Sequence, residues 1–214
     1  RLDLAQGTLT APVLAAESDN PSFLAVHPTR DWLYAVNEIG IYEGKPSGAV
    51  SAFAINRDSG ALTPINRQAS VGGGPAHLTV DHGGRNVLVA NYGGGSVAVL
   101  PVGADGALKP ASAFVQHTGS SVNPTRQKGP HAHSVIVDKT DRFAYVADLG
   151  LDKIMIYQLD AAKGALVAAD PAFAAATPGA GPRHFAIHPQ QRFAYVINEL
   201  ENTVTAYTRD SGRG

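Results

Sequence analysis

The feature that most constrains this chain is a unit of about fifty residues that occurs four times. Four short motifs mark it: Asn20-Pro21-Ser22-Phe23, Gly74-Pro75-Ala76-His77, Gly129-Pro130-His131-Ala132-His133 and Gly181-Pro182-Arg183-His184. Each leads into a short apolar stretch and then a polar turn, such as Asp81-His82-Gly83-Gly84 or His188-Pro189-Gln190-Gln191. A second apolar stretch follows and ends in Asn or Asp, at Asn37, Asn91, Asp148 and Asn198. A third stretch alternates apolar and polar residues, and a Gly-Ala-Leu turn introduces a fourth at Asp58–Leu62, Asp105–Leu108 and Gly164–Leu166. Alternation with period two, rich in β-branched and aromatic residues, specifies strands. Four short antiparallel strands per repeat specify a propeller blade, too thin to bury its faces except against its neighbours.

The predicted fold is therefore all-β: one β-propeller domain over residues 1–214, built of four-stranded antiparallel blades. The repeat begins and ends out of phase. Arg1–Ala16 reads as the outer strand of an earlier blade, and Arg209-Asp210-Ser211-Gly212 opens a turn with no strand after it. The expectation is a partial arc of about four blades from a larger ring, with apolar blade faces left bare at its ends.

Composition narrows the function. Charged residues are 16% of the chain and the net charge is -1, which argues against a nucleic-acid footprint. There is no cysteine, so disulfides and thiolate metal sites are excluded. No apolar run reaches membrane-spanning length, and no membrane partner is expected. The Gly72–Gly74 and Gly93–Gly95 runs precede no helix and read as tight turns rather than phosphate loops. No cofactor is expected. With no leader visible at Arg1, the expected compartment is the cytoplasm.

The repeat also gives a map. Loops before first strands share a face with the ends of second strands. Phe23 thus meets Asn37 and Glu38, and His77 meets Asn91 and Tyr92. His131 and His133 meet Asp148, and Arg183 and His184 meet Asn198 and Glu199. Bases, acids and a cation converge there, as ester or lactone chemistry requires. His77 and His184 could equally anchor their blades. A metal at His131 and His133 lacks an evident third ligand, and no metal is expected.

At these residues the chain resembles the seven-bladed lactonase family. Gly179-Ala180-Gly181-Pro182-Arg183-His184 with Ala194-Tyr195-Val196-Ile197-Asn198-Glu199-Leu200 carries the resemblance most specifically. The resemblance implies a hydrolase that opens a phosphorylated or carboxylated sugar lactone, 6-phosphogluconolactone first. It implies His133 and Glu199 as acid/base residues and Arg183 as anion clamp. His77, Asn91, His131, Asp148, His184 and Asn198 are then candidate substrate contacts. It further implies a second cation from blades outside this segment. A muconate-type lactonising cycloisomerase and a non-catalytic binding propeller are the alternatives.

Overall fold

The computed structural model describes residues 2–214. Among them there is no helix, and every strand pairing is antiparallel. The first blade runs Leu24–Val26, Trp32–Asn37, Ala49–Ile55 and Leu62–Ala69. The second runs Pro75–Val80, Asn86–Asn91, Ser96–Pro101 and Ala113–Gln116. The third comprises Ala132–Val137, Phe143–Asp148, Lys153–Asp160 and Ala165–Ala175. The fourth has three strands, Pro182–Ile187, Phe193–Asn198 and Thr203–Thr208.

The blades hold together through their faces. In a strand, successive side chains point to opposite sides. Val87 and Val89 therefore pack towards the first blade, against Tyr34, Val36 and Val50. Leu88 and Ala90, one residue out of step, pack towards the third, against Val135, Ala144 and Val146. This is why the second strands read as unbroken apolar runs: both faces are interior. A third layer joins Tyr145, Ile154 and Ile156 to Phe185 and Val196 of the fourth blade. The free face of the fourth blade carries Tyr195, Ile197 and Val204, at 40%, 49% and 65% exposure. Leu24 and Val26 are similarly exposed on the first.

Two expectations are corrected. Residues 2–16 form no outer strand. Leu2–Asp3 pairs instead with Thr8–Leu9, because Asp3 Oδ1 accepts the Ala5 and Gln6 amides and Gly7 turns the chain back on itself. Arg1 lies outside the described residues. In the second blade the outer strand begins at Ala113, not directly after Leu108. Leu108 makes one isolated bridge to Val102, and Pro110, which has no amide to donate, interrupts the ladder.

Candidate active site

The geometry of the site follows from a bulge that recurs at the start of the inner strands. In the fourth blade Pro182 faces Asn198 and His184 faces Ile197, so Arg183 is an extra residue without a cross-strand partner. In the third blade the same shift frees His133, and in the second it frees Ala76. A bulge re-aims one side chain, here into the channel mouth. One backbone hydrogen bond fixes the phase of every blade. The amides of Glu38, Tyr92, Leu149 and Glu199 donate to Asn20, Gly74, His131 and Gly181 at 3.0, 2.9, 2.9 and 2.8 Å. Ser22, Ala76, His133 and Arg183 are therefore equivalent, and so are Glu38, Tyr92, Leu149 and Glu199.

This register corrects the alignment by prolines. Pro130 lies two residues ahead of the structural match, which is Ala132. His133 thus corresponds to Arg183, and His131 to Gly181. Gly181 is left-handed at φ 66°, and a Cβ there would meet Leu200 at 2.6 Å. His131 is not left-handed, and the longer approach 117–131 accommodates the difference.

Glu199 is the centre of the pocket. Arg126 Nη2 donates to its Oε1 at 2.6 Å, and Arg183 Nε donates to its Oε2 at 3.1 Å. His133 Nε2 lies 3.8 Å from Oε2, an ion-pair distance rather than a hydrogen bond. Arg126 also donates to the Tyr92 hydroxyl at 3.0 Å. These groups, with Ser22, Phe23, Glu38, Ala76 and His184, line a cavity of about 510 Å³. Partial burial pushes the Glu199 carboxyl up, but the hydrogen bond and charge of Arg126, helped by His133 and Arg183, outweigh it and hold it below the usual range. Burial, reinforced by the Arg183 charge, lowers His133 to about 4. His133 is therefore neutral near pH 7. Its buried Nδ1 has no partner among the described residues, and its Nε2 faces the Glu199 carboxylate in the pocket.

The expected substrate contacts divide. His184 lines the cavity, 5.4 Å from the His133 ring, and burial together with the Arg183 charge lowers its pKa. His77 lies behind it, 6% exposed, its ring tilted against that of Phe23 at 4.0 Å; burial, then the nearby His184 and His133, lowers it to about 3. His131 stacks on Tyr92 outside the cavity, Nδ1 against the Tyr92 carbonyl. Asn91, Asp148 and Asn198 are turned away from the pocket, at 0%, 0% and 1% exposure. Asn91 donates to Ser70 and Ser96, and Asn198 to Thr203 and Thr205. Asp148 accepts the amides of His131, Gly150 and Leu151 and bonds the buried His117 ring. These three are joints within the blades, which corrects their expected place at the substrate.

Sequence reasoning missed Arg126 and looked for the second cation outside this segment. Its signal was the connection itself: 117–131, against 70–74 and 176–181 between the neighbouring blades. That loop is pinned by fully buried Gln127, which donates to Leu149 O at 2.8 Å. It thereby covers Leu149, the third blade's counterpart of Glu199, and puts Arg126 in its place. Asp152 ties both cations to one anchor. Its carboxylate accepts Ser121 from the Arg126 loop and the amides of Gly179 and Gly181 from the Arg183 loop.

The family model described as "Lactonase, 7-bladed beta-propeller" matches residues 1–214. The chain belongs to that lactonase family. It is 38% identical over 206 residues to a 6-phosphogluconolactonase of Bacillus subtilis (strain 168), covering 96% of this chain and 56% of the relative. A 6-phosphogluconolactonase of Pectobacterium carotovorum is 34% identical over 211 residues, with 98% and 57% covered. Among solved structures, the Pseudomonas aeruginosa periplasmic gluconolactonase superposes with TM-score 0.90 at 36% identity, over 98% of this chain and 59% of that one. The chain spans about half the length of the curated relatives it matches. The lactonase fold assigns the arc, and the bulges within it place Arg183 and His133 at the channel mouth.

Proposed function

We propose that this protein hydrolyses a sugar lactone, 6-phospho-D-glucono-1,5-lactone first among them, to the open-chain acid. The observation that carries the reading is an ionised carboxylate held between two guanidiniums beside a neutral imidazole. Glu199 is the base: it takes a proton from water as the water oxygen attacks the C1 carbonyl. Arg126 and the His133 Nε2–H face the developing oxyanion. When the tetrahedral intermediate collapses, the bond from C1 to the ring oxygen breaks. Glu199 returns the proton to the departing alkoxide, and the product is the hydroxy acid. Both terminal nitrogens of Arg183 lack partners among the described residues, and they suit a phosphate held by two parallel hydrogen bonds.

Arg183→Ala and Arg126→Ala separate these roles. Both lower kcat/KM for 6-phosphogluconolactone about tenfold or more. Arg183→Ala acts mainly through KM and is milder on unphosphorylated glucono-1,5-lactone. Arg126→Ala acts mainly through kcat on both substrates. Wild-type kinetics from both variants contradict the assignment.

A further inference from the structure

The pocket carries polar side chains at both ends, and those of its far wall have no role in the chemistry above. On the first blade the residues equivalent to Arg183 and Glu199 are Ser22 and Glu38. The carboxylate is kept, but serine stands where its guanidinium partner would be. Glu38 is half-buried and lines the same cavity. Its side chain has no hydrogen-bond or ion-pair partner among the described residues. Its backbone is nonetheless fixed. The amide donates to Asn20 O at 3.0 Å, and the carbonyl accepts Asn20 Nδ2 at 2.7 Å. Between the two ends the equivalent bulge residue is Ala76, which adds no charge and little bulk.

An ionised carboxylate can only accept hydrogen bonds. With no cation paired to it on its own wall of the pocket, it complements hydroxyl donors and disfavours an anionic group beside it. We infer that Ser22 and Glu38 bind the hydroxyl-bearing edge of a polyhydroxylated lactone, and that Glu38 selects sugar lactones over dicarboxylate ones. The inference rests on the lactonase reading. The connectivity of a gluconolactone fits it. The C1 carbonyl and the C6 substituent flank the ring oxygen on one edge. The C2, C3 and C4 hydroxyls occupy the other. With the carbonyl at Glu199 and a C6 phosphate at Arg183, the hydroxyl edge turns away from the arginines, towards the first blade.

The test compares glucono-1,5-lactone with δ-valerolactone, which has the same ring and no hydroxyls. Glu38→Gln keeps the shape and removes the charge. It raises KM for gluconolactone about tenfold, since hydrogen bonds to a charged acceptor are roughly twice as strong as neutral ones. It leaves kcat within about threefold, and kcat/KM for δ-valerolactone unchanged. Ser22→Ala shifts KM in the same direction by less. Equal losses on both lactones, or unchanged gluconolactone kinetics, overturn the inference. Calorimetry with gluconate decides it without turnover: weakening of about tenfold by Glu38→Gln supports it, and unchanged affinity overturns it. Failure of the wild-type protein to hydrolyse either lactone counts against the lactonase reading and leaves the calorimetric result to judge Glu38.

Discussion

Glu199→Gln lowers kcat for 6-phosphogluconolactone about a hundredfold or more, the size expected when a general base is removed. The amide keeps one oxygen to accept from a guanidinium and cannot take the water proton. KM changes less, because both arginines remain. The acid limb of the wild-type rate tests the same residue. Glu199 lies below the usual carboxylate range and His133 near 4. The ionised carboxylate is the active form, so activity is full above its pKa and declines as pH falls through it. With glucono-1,5-lactone, which carries no phosphate to titrate, and with spontaneous hydrolysis subtracted, kcat/KM is flat between about pH 6 and 8, with no step near 6.5, where an ordinary histidine titrates. A limb centred there transfers the base role to a histidine.

Asp148→Ala lowers stability by about 3–5 kcal/mol, because several buried donors lose their acceptor at about 1–3 kcal/mol each. Asp148 is fully buried, and its Oδ2 lies 2.6 Å from His117 Nδ1. Tyr157 completes the chain, its hydroxyl 2.8 Å from His117 Nε2. The substitution strands the buried His117 ring and removes the carboxylate acceptor of the His131, Gly150 and Leu151 amides. In a domain of this size the melting temperature falls by roughly 10 °C. Asp148→Asn recovers part of the loss, because its amide oxygen still accepts from the backbone. A substrate contact at Asp148 would instead raise KM and leave the melt unchanged. Activity falls as well, since His117 and His131 bound the loop that carries Arg126.

The repeat made the blades legible. Alternation, Gly-Pro loops and Asn or Asp strand ends give the strands, their order and the face on which side chains converge. Phase within that face was harder. The third blade carries its own Gly129-Pro130, two residues ahead of the true match, and a proline looks alike in either phase. Neighbours such as Asn198 and Glu199 both stand at a strand end. The backbone hydrogen bond from Glu199 to Gly181 sends the first inward and the second into the channel. Arg126 lay outside the repeat altogether, on an insertion that periodicity passes over. His133, Arg183 and Glu199 were found through motif resemblance, and the bulges explain why those motifs face the channel.

The central claim is that Glu199, set between Arg126 and Arg183, opens a lactone ring. The most direct test is stopped-flow release of acid from 6-phosphogluconolactone, with the spontaneous rate subtracted, for the wild-type protein and Glu199→Gln side by side. The expected result is saturable turnover by the wild type and a loss of about a hundredfold in the variant with its melting temperature intact. Equal rates from the two proteins would contradict it.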